Sequence, residues 1–227
     1  MAPGTPFGPR RPGTPFGPRR PGLGDRRLYL CTPDRPDLAA FLQACIRGGV
    51  DVVQLREKGL EARPLLARAR LAAGVCRDHG VPFILNDRPD LALEAHADGV
   101  HVGQDDAPPA LARRILGADA LVGLSTHAPA ELEAAAREPV DYLSAGPVNP
   151  TPTKPGRAGT GLGYLREAAA RATAPWFVTG GVTPETVPAM AAAGATRFVV
   201  VRWLTEAAAP EGAARALADA IDAAVGS

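Results

Sequence analysis

The chain has 227 residues, of which 46% are hydrophobic but only 5% aromatic, so its core must be built mainly from aliphatic side chains. This length fits one large domain. The formal net charge is +1, but residues 1–27 hold six Arg and one Asp, so the 19 basic and 23 acidic residues that remain give −4. A basic face for nucleic acid is therefore not expected.

The cysteines and the hydropathy of the sequence indicate the cellular compartment in which the protein is expected. Cys31, Cys45 and Cys76 lie in apolar runs without the spacing of a metal site, so neither a disulfide framework nor a zinc site is expected. No apolar stretch approaches the roughly 20 residues needed to cross a bilayer, and the N-terminus lacks the apolar centre of a signal peptide. We expect a soluble protein of the reducing cytoplasm with no membrane partner, and the sequence leaves a homo-oligomer open.

The N-terminal segment differs from the rest of the chain. The unit PGTPFGPRR occurs at residues 3–11 and again at 12–20, and it is rich in Pro and Gly and poor in residues that could form a core. Such a composition predicts a disordered tail over residues 1–27, followed by one domain over residues 28–227.

From Leu28 onward, short aliphatic runs alternate with Ala-, Leu- and Arg-rich segments, a pattern typical of repeated βα units. The predicted strands are 28–31, 51–56, 82–86, 98–102, 120–124, 140–144, 176–179 and 197–201. The predicted helices are 36–48, 61–79, 89–96, 108–116, 128–137, 163–172, 184–194 and 207–225.

Eight βα pairs predict an α/β fold, a single closed (β/α)8 TIM barrel. The main structural alternative is a doubly wound open sheet, which usually has fewer strands and a Gly-rich turn after the first one. Here the first turn reads CTPDRPD, so the barrel is favoured.

The second strand ends in a row of polar residues. Since alternate residues of a barrel strand point inward, Gln54, Arg56 and Lys58 share a face and rise toward the carboxyl end of the barrel, where such folds place their active sites. Two cations there need an anion between them. Glu57 lies on the opposite face and is a poor candidate for that anion.

Carboxylates follow the next two strands. The third ends in FILND, with Asn86 and Asp87, and the fourth continues into GVHVGQDD, with His101 and Asp106. Two Asp on neighbouring strand ends could bind Mg²⁺ together with a polyphosphate. Each Asp alone could instead cap a helix, because DRPD and DAPP both read as helix starts. Taken together, the metal hypothesis is preferred, and His101 is predicted to be a hydrogen-bonded interior residue.

The later strands carry groups suited to phosphate. Ser125 ends the fifth strand and could bind a ligand or cap a helix. The long segment from Gly146 to Gly163 carries Thr151, Thr153 and Lys154, whose hydroxyl and ammonium groups suit phosphate oxygens. The alternative is a solvated loop with an incidental Lys. The glycines at 180 and 181 follow the seventh strand, where this fold usually binds phosphate.

Five ordered motifs support a more specific interpretation. VVQLREKG, ILNDRPDLALEAHADGVHVGQDD, LVGLSTH, GPVNPTPTKPG and TGGVTPE, in this order, closely resemble the thiamine-phosphate synthase (thiamine-phosphate pyrophosphorylase) family from about Leu28 to the C-terminus. The resemblance implies an enzyme that joins hydroxymethylpyrimidine diphosphate to hydroxyethylthiazole phosphate, in its plain or carboxylated form, with release of pyrophosphate and with Mg²⁺ as cofactor.

The resemblance also implies roles for individual residues. The metal ligands would be Asp87 and Asp106. The catalytic cations would be Arg56, Lys58 and Lys154. The substrate-binding residues would be Gln54, Leu55, Arg56, Glu57, Lys58, Asn86, Ser125, Thr151, Pro152, Thr153, Lys154, Gly181, Val201 and Arg202. Some members of the family have Ile-Ser where this chain has Val201–Arg202.

Two other functions remain open at this point. A thiazole tautomerase of similar fold would use His101 or His127 for proton transfer, but it would give no task to the cations and the two Asp. A non-catalytic barrel that binds thiazole phosphate as a regulator would need only the residues after strands seven and eight.

Overall fold

A computed structural model of the chain describes residues 22–150 and 159–226. Eight parallel strands follow one another around a closed barrel, and the last strand pairs with the first. Helices lie between the strands. The predicted (β/α)8 TIM barrel is therefore confirmed, and the predicted tail up to residue 21 lies outside the described residues.

The strands are β1 Leu28–Thr32, β2 Val52–Leu55, β3 Phe83–Asn86, β4 Gly99–Val102, β5 Leu121–Thr126, β6 Tyr142–Ala145, β7 Trp176–Val178 and β8 Phe198–Val200. The helices are α1 Leu38–Arg47, α2 Ala62–Asp78, α3 Pro89–Glu94, α4 Pro109–Leu116, α5 Pro129–Ala135, α6 Gly161–Arg171, α7 Val187–Ala192, α8 Arg202–Thr205 and α9 Pro210–Val225.

The predicted elements all occur, and the structure adds one. The short helix α8, Arg202–Thr205, follows β8 directly, where the sequence analysis placed no helix. Four residues make little more than one turn, which is too short for the 3.6-residue periodicity to be visible.

The period-2 alternation of the strands divides the apolar residues into two clusters. Val53 and Leu55 of β2 face the helices and belong to the outer cluster, whereas Val52 of the same strand faces the lumen. This is the orientation that the sequence predicts for β2. The inner cluster consists of Leu23, Tyr29, Cys31, Val52, Ile84, Leu121, Tyr142, Phe177 and Val199.

Residues 22–27, which the sequence analysis assigned to the tail, contribute to the amino-terminal end of the barrel. Leu23 is 7% exposed and joins the inner cluster. The guanidinium of Arg197, just before β8, donates to the carbonyl oxygens of Gly24 and Arg26 at 2.8 and 3.1 Å. This segment therefore closes the bottom of the lumen.

An aspartate stands just before each of β2, β4 and β6, and its carboxylate accepts a hydrogen bond from the start of the preceding strand. Asp51 accepts hydrogen bonds from the amides of Arg27 and Leu28 at 2.8 and 3.0 Å. Asp98 accepts from the Phe83 amide at 2.8 Å, and Asp141 accepts from the Val122 amide at 2.7 Å. The amides at the starts of β1, β3 and β5 thereby gain partners that the sheet does not supply.

Cys31, Cys45 and Cys76 are buried and none of them forms a disulfide among the described residues. Among the helices of residues 22–150 and 159–226, none is both long enough and apolar enough to cross a membrane.

The aspartate ties predict where stability resides. Asp141 also accepts from the Arg113 guanidinium at 2.6 Å, so Asp141→Ala removes two hydrogen bonds and leaves a partly buried amide unpaired. We expect a loss of about 1–3 kcal/mol in the free energy of unfolding, measured by urea titration. Asp119→Ala, an exposed aspartate in the loop before β5, is the control. Equal midpoints for the two variants would contradict the assignment.

Candidate active site

Two neighbouring pockets occupy the mouth of the barrel, the end at which the strands terminate. The first, with a volume of about 130 Å³, lies toward β6, β7 and β8. The second, about 280 Å³, lies toward β2, β3, β4 and β5. Both are lined by Arg56, Asn86, His101 and Ser125, so they share one wall and two ligands could meet across it.

The second pocket contains an anion for Arg56 and Lys58, the two cations that follow β2. The Lys58 ammonium lies 2.8 Å from an Asp87 carboxylate oxygen. Asp87 is also hydrogen-bonded to Asp106, whose own carboxylate accepts from the Gly103 amide at 2.8 Å. The residues after β2, β3 and β4 thus form one charged cluster: Arg56, Lys58, Asp87 and Asp106.

Neither aspartate caps a helix, so that alternative is wrong. The N-cap positions of α3 and α4 are Arg88 and Pro108, and neither helix has a side-chain capping bond. The reason lies in the backbone of Asp87, whose φ of 61° is left-handed. Its amide donates to the His101 carbonyl at 2.8 Å, which ties it to β4. A left-handed non-glycine residue is uncommon and concentrates at functional sites.

Burial and like charge make the two carboxyl groups unequal. Desolvation is the main cause that raises the pKa of Asp87, and the neighbouring Asp106 raises it further while Lys58 opposes the change. Desolvation also acts to raise the pKa of Asp106, but hydrogen bonds from Asp87 and the Gly103 amide outweigh it and lower that pKa. The pKa of Asp87 is therefore raised and that of Asp106 lowered, and the two carboxyl groups share a place that suits a cation.

Beneath the shared wall, buried side chains form a chain of hydrogen bonds across the lumen. Gln54 Nε2 donates to the Tyr29 hydroxyl at 2.7 Å, and that hydroxyl lies 3.0 Å from the Tyr142 hydroxyl. Tyr142 continues to His101 Nδ1 at 3.2 Å, and His101 Nε2 lies 2.9 Å from Ser125 Oγ. The prediction that His101 is a hydrogen-bonded interior residue is confirmed.

The first pocket is completed by residues after β7 and β8. Gly180 and Gly181 have φ values of 100° and 78°, a conformation that brings the backbone of this turn to the pocket and that side chains with a Cβ rarely adopt. The Gly181 carbonyl is held by the Thr186 hydroxyl at 2.8 Å. Arg202, the first residue of α8, lines the same pocket.

The structure brings most of the predicted site residues to these pockets. Gln54, Arg56, Asn86, Ser125, Gly181, Val201 and Arg202 line the first, and Lys58, Asp87 and Asp106 line the second. Two predicted residues point elsewhere. The Leu55 side chain is fully buried in the outer cluster, so that only its backbone could contact a ligand. The Glu57 carboxylate accepts from the amides of Gly59 at 2.8 Å and Asp34 at 3.3 Å.

The remaining candidates are Thr151, Pro152, Thr153 and Lys154, which lie outside the described residues.

Sequence reasoning missed several residues that line the pockets. Tyr29 and Tyr142 read as core aromatics, although alternation along β1 and β6 already directs them inward. Thr179, Thr183 and Trp203 line the first pocket, and the signal for them was their place within five residues after β7 or β8. His127, which the sequence analysis considered only for a tautomerase, lines the second pocket and lies 2.8 Å from the Glu131 carboxylate.

No group of three or more His, Cys, Asp or Glu side chains suited to a metal ion occurs among the described residues. The arrangement can instead bind a cation through two carboxylates, an anion through Arg56 and Lys58, and a second anion near Gly181 and Arg202.

Comparison with known proteins gives a consistent answer. The sequence profile of the thiamine monophosphate synthase family matches residues 28–204. A thiamine-phosphate synthase of Streptomyces avermitilis is 51% identical over 201 residues, which cover 86% of this chain and 94% of that protein. One from Mycobacterium sp. (strain KMS) is 50% identical over 212 residues, which cover 88% of this chain and 94% of the relative.

The solved structures agree. The thiamine phosphate pyrophosphorylase of Pyrococcus furiosus superposes with a TM-score of 0.81 and 25% identity, covering 88% of this chain and 98% of that one. On the profile match, the relatives at about half identity and this superposition, the chain belongs to the thiamine monophosphate synthase family.

Proposed function

We propose that the chain is a thiamine-phosphate synthase, a transferase that joins 4-amino-2-methyl-5-(diphosphooxymethyl)pyrimidine to 4-methyl-5-(2-phosphoethyl)thiazole, or to its carboxylated form, and releases pyrophosphate. The observation that carries the proposal is the pair of pockets with a common wall. One has the charged cluster of Arg56, Lys58, Asp87 and Asp106, and the other has the glycine turn and Arg202. Two anionic substrates with a reaction between them need this arrangement.

The charged cluster suits a diphosphate that leaves. As the bond between the methylene carbon and the diphosphate oxygen breaks, negative charge grows on the leaving oxygen. Arg56 and Lys58 are on the inward face of one strand end, so both can donate to diphosphate oxygens without a large rearrangement. The Lys58 side chain is 55% exposed whereas that of Asp87 is 17% exposed, so the ammonium group is the more mobile partner and can turn from Asp87 to a ligand.

Asp87 and Asp106 fit Mg²⁺. Two partly buried carboxyl groups in hydrogen-bonding contact need either a proton or a cation between them, and Mg²⁺ commonly takes one or two carboxylates together with phosphate oxygens and water. A bound Mg²⁺ would neutralise part of the charge on the diphosphate and on the pyrophosphate that departs.

The remaining residues bind and orient the two rings. In this proposal Gln54, Asn86 and Ser125 hold the pyrimidine at the shared wall, and Gly181, Val201 and Arg202 hold the thiazole phosphate. Lys154 would reach the diphosphate, and Thr151, Pro152 and Thr153 would help to close the thiazole side. The electron-rich aminopyrimidine stabilises positive charge on its methylene carbon, so loss of pyrophosphate can run ahead of attack by the thiazole nitrogen.

The protein needs no nucleophile of its own for this reaction, because the thiazole nitrogen attacks with its lone pair and carries no proton to remove. Its contribution is to align the nitrogen with the methylene carbon and to keep water from the cationic carbon. We also propose that the enzyme acts in the cytoplasm, where its three cysteine thiols would stay reduced.

The direct test is a pyrophosphate-release assay with the full chain. With both heterocycles and Mg²⁺, we expect one pyrophosphate for each thiamine phosphate formed, and we expect no release when a chelator replaces the metal. A chain that binds the thiazole phosphate but never releases pyrophosphate would be a non-catalytic binding protein. Double-bond migration in the thiazole alone, without metal, would identify a tautomerase.

Asp87→Asn tests the role of the carboxylate pair. Asn tolerates the left-handed conformation of this residue, so the fold should be kept while one charge is lost. We expect pyrophosphate release to fall by about 100-fold or more at fixed Mg²⁺ and the Mg²⁺ concentration for half-maximal rate to rise. Asp90→Asn, three residues along the chain in a surface ion pair with Arg88, should keep wild-type turnover. Unchanged activity in Asp87→Asn would remove this aspartate from the site.

Arg202→Ala tests the assignment of the first pocket to the thiazole phosphate. Loss of one charged hydrogen-bond donor should raise KM for the thiazole phosphate by about 10-fold or more, with KM for the pyrimidine diphosphate unchanged, in steady-state assays that vary each substrate. Arg114→Ala, at an exposed arginine of α4, serves as the control. A rise in the pyrimidine KM instead would exchange the two pocket assignments.

A further inference from the structure

The buried chain of hydrogen bonds beneath the shared wall has a direction that can be followed atom by atom. Its members are each 7% exposed or less. They are Cys31, Gln54, Tyr29, Tyr142, His101 and Ser125. Ser125 stands at its end, in both pockets.

The direction in which the hydrogen bonds are donated is set by the residues of β1 and β2. The Cys31 thiol donates to Gln54 Oε1 at 3.1 Å, so the opposite side of the same amide, Nε2, donates to the Tyr29 hydroxyl oxygen at 2.7 Å. A phenol has a single hydrogen. Because Tyr29 already accepts from Gln54, its own hydrogen is available for the Tyr142 oxygen 3.0 Å away.

The same counting continues to the other side of the barrel. Tyr142, having accepted from Tyr29, gives its hydrogen to His101 Nδ1 at 3.2 Å. A neutral imidazole that accepts at Nδ1 carries its proton on Nε2, and this Nε2–H donates to Ser125 Oγ at 2.9 Å. The Ser144 hydroxyl also donates to Ser125 Oγ, at 3.3 Å. Two donors therefore occupy the Ser125 oxygen, and its own hydrogen is directed to the pocket.

We propose that this chain of hydrogen bonds holds His101 as the Nε2–H tautomer and thereby makes Ser125 an obligatory hydrogen-bond donor to the bound pyrimidine ring. Cys31, Tyr29 and Tyr142 are then positioning residues, which act on the ligand only through His101 and Ser125. The inference rests on the proposed function for the identity of the acceptor, an aromatic ring nitrogen of the pyrimidine substrate. A ring without an acceptor at that position would leave the Ser125 hydroxyl unpaired and would be rejected.

The environment of the two tyrosines keeps both of them protonated, as a hydrogen-bond chain in either direction requires. Burial raises the pKa of Tyr29 and the pKa of Tyr142 above the ordinary value of a phenol. Both side chains therefore keep their hydrogens, and each can pass one hydrogen bond along the chain while it accepts another.

Gly123 of β5 supplies an independent indication that the contact between Tyr142 and His101 is built in. A Cβ at residue 123 would lie 2.1 Å from Tyr142 Cζ and 2.6 Å from His101 Nδ1. The tyrosine and the histidine thus meet in the space that any larger residue would occupy. The missing side chain at Gly123 of β5 therefore makes the space in which Tyr142 and His101 form their hydrogen bond.

Cys31 decides between two possible directions. If the Gln54 amide were reversed, each bond that follows would reverse, His101 would carry its proton on Nδ1, and Ser125 could only accept from the ligand. In the structure Gln54 Oε1 faces the Cys31 thiol at 3.1 Å, so the thiol serves as donor and the amide N–H groups face away from the sulfur. The orientation found here is therefore the one that Cys31 stabilises.

The tautomer can be read without any reaction. In ¹⁵N–¹H correlation spectra of the full, unliganded chain with ¹⁵N-labelled histidine, the His101 resonances are assigned by their loss in His101→Gln. We expect a protonated Nε2 and an unprotonated Nδ1 near neutral pH. A proton on Nδ1 would show that the hydrogen bonds are donated in the opposite direction and would overturn the proposal.

The consequence for the ligand is tested by a matched pair of tyrosine variants. Tyr142→Phe removes the donor to His101, so we expect a mixed tautomer population and a rise of about fivefold to tenfold in KM for the pyrimidine diphosphate, with KM for the thiazole phosphate unchanged. Tyr164→Phe, at a buried tyrosine of α6 that is not part of the hydrogen-bond chain, should change neither the His101 tautomer nor either KM. An equal rise in both KM values, or no rise in Tyr142→Phe, would refute the positioning role.

A second pair covers the case in which Tyr142→Phe does not fold. Cys31→Ala removes the donor that orients Gln54 and should shift the His101 tautomer toward Nδ1–H, whereas Cys31→Ser keeps a donor and should restore the wild-type spectrum. Identical spectra for the two variants would contradict the role of Cys31. If the tautomer is as expected but the wild-type chain releases no pyrophosphate, the proposed function fails while the assignment of Ser125 as a donor stands.

Discussion

The site depends on one constraint, the closure of eight short parallel strands around a narrow lumen. Because inward side chains from all strands share that lumen, polar groups there lie beside apolar ones, and Gln54 stands opposite Ile84 in the β2–β3 register. Leu23 and Val52 belong to the apolar inner cluster. Buried hydroxyl, amide and imidazole groups form a middle level, and charged groups meet water at the mouth. Any polar residue of the middle level must find its partner across the barrel, since the outer faces of the strands pack against helices.

This constraint explains why the six groups of the hydrogen-bond chain are connected to one another. A buried polar group without a partner costs about 1–3 kcal/mol, and six groups from five strands would make the barrel unstable if they were left unpaired. Linking them in one chain satisfies them and fixes their orientation at the same time. A chain of donors and acceptors has only two directions, so a small preference at one end, here the thiol of Cys31, determines the hydrogen that is presented at the other.

Much of this could be predicted from the sequence, because it follows from alternation and strand order. The inward direction of Gln54 and Arg56, the contact of Lys58 with an anion from a neighbouring strand end, and the separation of Glu57 all result from period-2 geometry applied to one strand. The left-handed backbone of Asp87 could not be predicted, because DRPD is equally compatible with a helix cap until the contact with β4 is known. Tyr142 was missed because a tyrosine in a strand usually signifies packing, and only Gly123 across from it marks the place as a polar contact.

Stability and chemistry are placed at opposite ends of the same strands. Asp51, Asp98 and Asp141 stand just before β2, β4 and β6 and tie the bottom of the barrel together, whereas the charged cluster follows β2, β3 and β4 at the mouth. The fold can therefore hold the like charges of Asp87 and Asp106 in contact, with Asp87 in a strained backbone conformation, because the strands that carry them are secured by hydrogen bonds at their other ends. The site then holds two carboxyl groups beside Arg56 and Lys58, a charge arrangement that suits the arrival of a cation and an anion together.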